Sequence, residues 1–296
     1  MMKRLWNLLD VEPEETGPVS LLLAISFLMG VFLATVAVAS QTLFLTYEGI
    51  SEKFDLPKAI FYSGIFSIGI TVLYNFLQGR ISFKALAILN LLLIIGLTAF
   101  VEFGDDFVED KVQLYRFGFI LILPFTFITQ LIFWGAFGRM FNVRVAKRII
   151  GSVDLGTSIA SIIAFFSIPI ALASGVKVDA LFSIGLVSII GYLLLFIVLA
   201  NKYITGEKSA VKSESEIKKL SFFAFLGNKY IVSLSAFVII STVAVRFVDY
   251  SFFNVSTAQF NNESLPYFLS FFEATVVIFS FLFTTFATDR INQDYG

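Results

Sequence analysis

Residues Gln130–Ser161 read QLIFWGAFGRMFNVRVAKRIIGSVDLGTSIAS. One apolar run ends here and another begins. Arg139, Arg144, Lys147 and Arg148 lie between them with no acid in their midst. A basic segment between two membrane-length runs marks the cytoplasmic side. Gly151, Gly156, Ser152, Thr157 and Ser158 follow, and small residues let helix backbones approach closely. Asp154 is placed at the mouth of the next helix, where a carboxylate caps free N–H groups or pairs with an arginine. The stretch reads as the cytoplasmic hinge of a membrane bundle, with Arg139, Lys147, Arg148 and Asp154 as gate candidates. The plainer alternative is a loop that only sets topology.

Working outward, the same pattern recurs. Of the 296 residues, 57% are hydrophobic, above the 45–50% usual for soluble domains. Apolar runs of about 20 residues, the length that crosses the hydrocarbon core, lie near 18–45, 58–78, 83–103, 115–139, 151–173, 179–200, 229–255 and 266–288. The lead, residues 1–17, holds Lys3 and Arg4 and then Asp10, Glu12, Glu14 and Glu15. These acids precede the first apolar run, unlike a secretory signal.

Charge alternates from loop to loop. Arg80 and Lys84 follow the second run, and the basic cluster follows the fourth. Lys202, Lys208, Lys212, Lys218, Lys219 and Lys229 follow the sixth, and Arg290 the eighth. The intervening loops carry Glu48, Glu52 and Asp55 against Lys53, then Glu102, Asp105, Asp106, Glu109 and Asp110 against Lys111, then Glu263 alone, with the fifth loop near neutral (Lys177, Asp179). This parity predicts an integral membrane protein with a cytoplasmic N-terminus. Residues 201–228 are polar and rich in Lys, Ser and Glu, and read as a cytoplasmic linker. They divide an N-terminal six-helix bundle, 18–200, from two further helices in 229–296. Leu56-Pro57 and Arg80-Ile81 around the second run echo Leu265-Pro266 and Arg290-Ile291 around the eighth. The second part thus reads as a restart of the first. The expected fold is an all-α polytopic membrane protein, a six-helix bundle plus the first two helices of an incomplete second bundle.

Several stretches carry a family resemblance. They are the lead from Arg4-Leu5 to Glu12, Leu43-Phe44-Leu45 with Leu56-Pro57 and Leu73-Tyr74, Phe133-Trp134 with Ala146-Lys147-Arg148, Gly151 and Gly156, and Val248-Asp249-Tyr250-Ser251-Phe252 with Leu265-Pro266-Tyr267-Phe268. The chain resembles the ATP:ADP antiporter-like nucleotide transporters of the major facilitator superfamily. That resemblance implies a chain cut after the eighth of twelve helices, a bacterial inner membrane and exchange of nucleotides such as ATP and ADP. Two features depart from the pattern: Ala34–Thr46 carries no cation, and the loop after the second helix lacks the Asp of the superfamily's motif. They leave open a non-transporting sensor or anchor domain of a multidomain protein, or an inactive fragment.

Absences narrow the chemistry. With no His and no Cys, the usual general base, thiol nucleophile and commonest metal ligands are missing. No enzymatic activity, metal or cofactor is expected. A net charge of −1 gives no reason to expect a nucleic-acid partner. The partners expected are the lipid bilayer and a small anionic solute. Ionisable groups inside a membrane are costly and default to functional candidates. Arg246 and Asp249 stand three apart on one helix face. They form either a self-neutralising pair or an arginine that meets substrate phosphate with Asp249 as its resting partner. Glu273, in the eighth helix, is a candidate to take up a proton or hold a cation, or a carboxylate that reaches water. Gln41 and Asn75 are neutral candidates for substrate contact or interhelical hydrogen bonds. Gly30, Gly64, Gly69, Gly135 and Gly138 are expected at tight crossings or flexion points.

Overall fold

The computed structural model describes residues 6, 11–46, 55–104, 107–204 and 227–283. The basic residues Lys3, Arg4 and Arg290 and most of the linker 201–228 lie outside them. Among the described residues there is no strand. Eight helices among them are long and apolar enough to cross a membrane: α1 (Thr16–Thr46), α2 (Asp55–Gln78), α3 (Phe83–Phe103), α4 (Lys111–Met140), α5 (Val143–Ala173), α6 (Ala180–Tyr203), α7 (Lys229–Gln259) and α8 (Leu265–Phe283). The chain is an integral membrane protein. The end of the bundle that carries residues 11–15 is called the lead end, and the opposite one the far end.

The opening stretch needs one correction. The basic residues do not occupy a loop. Only Phe141 and Asn142 separate α4 from α5, so Arg144, Lys147 and Arg148 lie in the first two turns of α5. Asn142 makes this possible. Its side-chain oxygen accepts from the Val145 N–H at 3.0 Å and starts the helix eight residues before the apolar run. Hydropathy records where lipid begins, whereas the cap records where the helix begins. Asp154 consequently sits about three turns inside α5 rather than at its mouth, and does not cap it. The same effect starts α4 at Lys111 rather than near 115, where Asp110 accepts from the Gln113 N–H at 3.2 Å.

Helix α1 is the spine. It packs chiefly against α5 and α6, then α4, and lightly against α8 and α7. Lipid competes equally well for apolar side chains, so helices associate in membranes through close van der Waals fit. The α1–α5 crossing provides it. A Cβ on Gly30 would lie 2.5 Å from the Thr157 carbonyl oxygen, and one on Gly156 would lie 1.9 Å from Ser26 Oγ. Each helix supplies a glycine where the other presses closest. Gly135 likewise admits the Phe83 ring, whereas Gly64, Gly69 and Gly138 have nothing within 4 Å and mark no crossing.

Around the spine, α3 packs on α6 and α2 on α4. Helix α8 lies along α5, where Phe166 and Phe271 meet edge to face at 6.0 Å. Helix α7 packs its Phe253 against Phe119 of α4 near the far end.

Candidate functional site

The charged groups of α7 and α8 come together. Arg246 Nη1 lies 2.9 Å from Asp249 Oδ2, and the side chains remain 42% and 34% exposed. The i,i+3 spacing puts both on one face of α7. Asp249 in turn lies within electrostatic reach of Glu273 on α8. Asp249 stands about 15 Å along α7 from Gln259, and Glu273 about 12 Å along α8 from Leu265, so both sit at mid-membrane depth. Two carboxylates and one guanidinium share this level, an excess of one acid that a proton or cation balances. Arg246 offers a planar fork that suits phosphate or carboxylate, and the fork is accessible once Asp249 releases it.

Above the charges, towards the far end, aromatic rings lock α7 to α8. Phe252 stacks on Phe272 at 4.2 Å, and Phe260 on Phe268 at 4.1 Å. A cleft of about 560 Å³ opens beside this stack, lined by residues including Phe247, Ser251, Val255 and Gln259. None of the three charged residues lines it. This cleft is therefore apolar, and the ionisable chemistry lies beside it.

The other sequence candidates lie elsewhere. Gln41 is near the far end of α1, 8% exposed, and its Oε1 has no hydrogen-bond partner among the described residues. Asn75 is exposed near the lead end of α2, about 30 Å along that helix from its start, so it and Gln41 do not share a site. Of the gate candidates, Arg148 is tied to the protein's own lead. Its Nη2 meets both carboxylate oxygens of Glu15 at 2.6 Å and its Nη1 contacts Glu12. Arg139 lays its guanidinium 3.9 Å over the Phe83 ring and donates to the Gly135 carbonyl at 2.9 Å. Lys147 and Asp154 are exposed on α5.

Three polar arrangements escaped the reading of the sequence. Glu12 and Glu15 are the acidic half of the Arg148 clamp. Asp55 and Arg116 pair at 2.7 Å between α2 and α4. Ser183 of α6 donates to Glu102 of α3. The only sequence signal for these is a charge at the end of an apolar run, and it names no partner. The chain matches no protein-family model, no curated protein and no solved structure.

Proposed function

We propose that this chain belongs to a secondary active transporter of the major facilitator type. The first six helices form one bundle, and α7 and α8 open the second. The reading places the protein in a bacterial inner membrane with its N-terminus in the cytoplasm. Support for the orientation comes from the lead end, which carries Arg80, Lys84, Arg139, Arg144, Lys147, Arg148, Lys202 and Lys229. The cargo is an organic anion, with nucleotides favoured by the sequence resemblance.

The observation that carries the reading is the mid-membrane group Arg246, Asp249 and Glu273. An ionisable cluster at that depth is expensive unless it is used. Anionic oxygens of the substrate displace Asp249 from the Arg246 fork. The released carboxylate adds negative charge beside Glu273, which takes up a proton and keeps the group balanced. Rocking of the two bundles around this level then carries the solute across. No chemical bond is made or broken.

The test is uptake of labelled ATP and ADP into proteoliposomes. Arg246→Ala abolishes saturable uptake, and Arg246→Lys retains a fraction because a point charge replaces the fork. Glu273→Gln keeps exchange but loses accumulation driven by a proton gradient. A second reading, a membrane anchor or sensor, is favoured by one observation: α1, the spine, carries no charged residue from Thr16 to Thr46. Absence of uptake by correctly inserted protein would move the assignment there.

A further inference from the structure

Helices α7 and α8 are joined by rings. Neither helix carries a glycine. Their backbones make almost no close approach, unlike those of α1 and α5, which press together at Gly30 and Gly156. Phenylalanine side chains fill the gap. Phe252 and Phe260 stand about two turns apart on one face of α7, with Ser256 between them, and Phe268 and Phe272 stand one turn apart on α8. Ser256 is small and donates its hydroxyl to the Phe252 carbonyl at 2.7 Å, which leaves room for a ring from α8. Phe268 enters there. Its centroid lies 4.1 Å from that of Phe260 and 5.9 Å from that of Phe252, and Phe252 lies 4.2 Å from Phe272. The ring planes are inclined by only 16°, 29° and 26° in these three contacts. The four rings form one stack, taken alternately from the two helices.

Such a stack sets a distance better than aliphatic contact does. Lipid replaces an aliphatic neighbour without loss, whereas ring faces gain from a particular offset and spacing. The stack ends at the ionisable group. Asp249 is one turn before Phe252 on α7, and Glu273 directly follows Phe272 on α8. The helices run antiparallel, so the Phe252–Phe272 contact holds Asp249 and Glu273 at adjoining levels, within electrostatic reach of each other. Arg246, Tyr250 and Tyr267 are the other titratable groups of α7 and α8 near this level. Among the neighbouring helices, α1 carries no charge. Asp154 of α5 stands about 18 Å along its helix from Phe166, the ring that meets Phe271. Towards the far end, α4 offers Tyr115 and Arg116, and α2 offers Asp55, Lys58 and Tyr62. Arg116 is held by Asp55 at 2.7 Å.

We propose that Phe252 and Phe272 are positioning residues for the ionisable group, and that their stacking sets how strongly Glu273 feels the charge of Asp249. Phe260 and Phe268 anchor the stack at the far end. This deepens the transport reading and rests on it for the consequence in uptake. With the stack intact, release of Asp249 from Arg246 loads Glu273 with a proton. With the stack broken, the two carboxyl groups act independently, and proton uptake no longer follows substrate binding. The coupling itself is a property of the folded chain and can be measured without transport.

The experiment is an infrared pH titration of the full chain purified in detergent, with the Glu273 carboxyl band identified by its loss in Glu273→Gln. Asp249→Asn displaces the Glu273 midpoint in the otherwise wild-type chain. In a Phe252→Leu background that displacement falls by about half or more, because the Coulomb interaction weakens as the carboxyl groups separate. Phe252→Tyr keeps the ring and the full displacement. Phe253→Leu, whose ring packs on Phe119 outside the stack, keeps it too. All variants retain helical circular dichroism. In proteoliposomes Phe252→Leu flattens the pH profile of ATP uptake. The proposal is overturned if Asp249→Asn leaves the Glu273 midpoint in place, or displaces it equally with and without Phe252→Leu. It is also overturned if Phe252→Tyr fails to preserve the displacement, which would indicate a merely structural role. Absence of uptake with the infrared coupling intact would remove the transport reading and leave the positioning role standing.

Discussion

Helices α1 and α7 are each 31 residues long, and both are apolar enough to cross a membrane. Yet about half of α1 is buried against protein, whereas α7 buries Phe253 and Ser256 alone. One difference lies in glycine at the contacts, which α7 lacks. Helix α1 carries Ser26, Gly30, Ala34, Ala39 and Ser40 along its packed faces, and meets Gly156, Gly185 and Gly191 on its neighbours. Helix α7 presents Phe237, Ile239, Phe247 and Val248 outward, with Phe253 and Ser256 as its buried residues. Hydropathy measures affinity for hydrocarbon, and lipid satisfies it as well as protein does. Position in the bundle is decided by which backbones can come close.

That contrast can be broken by filling the spine. Gly30→Leu drives a branched side chain into a backbone carbonyl that a Cβ alone would approach to 2.5 Å. We expect a loss of about 3 kcal/mol in thermal unfolding of the detergent-solubilised protein. Gly64→Leu, with nothing within 4 Å, serves as the matched control and leaves the melting temperature in place. Equal losses at the two positions would end the argument from close approach.

A smaller effect tests the edge of the spine. Arg148 fastens α5 to the segment that leads into α1, through Glu15, which is largely buried, and Glu12, which is exposed. Solvent screens part of this pair, so Arg148→Ala is expected to cost about 1 kcal/mol. Arg148→Lys should recover less than half, since an ammonium cannot engage both Glu15 oxygens as a fork does. Full recovery with lysine would show that charge alone matters there.

At the other extreme, Ile239→Ala on α7 removes a side chain that is 63% exposed. A shift within about 0.5 kcal/mol is expected in detergent. A loss comparable to that of Gly30→Leu would reveal that α7 is packed against protein along its length.

The membrane character was legible because it depends on composition over about 20 residues, and every run has it. The start of α5 was not. Val143–Ile150 is polar enough to read as loop, and its helical state rests on one cap, Asn142, and on adjoining packing. The Arg246–Asp249 pair was legible as an i,i+3 spacing. Glu273 was legible as a misplaced carboxylate, but its proximity to Asp249 was not, because it depends on how α8 lies beside α7. The Asp55–Arg116 pair was opaque for the same reason: it joins α2 to α4 across 61 residues of chain.

By itself the sequence determined eight apolar segments, the alternation of charge between their ends and the residue types on offer. These follow from transfer energies, which act residue by residue. Only the tertiary structure decided that α1 is the spine, that Arg148 clasps the lead and that Asp249 comes within reach of Glu273. Those are choices among near-equal apolar surfaces, and in a membrane they turn on differences of about an ångström in how closely residues far apart in the chain can approach.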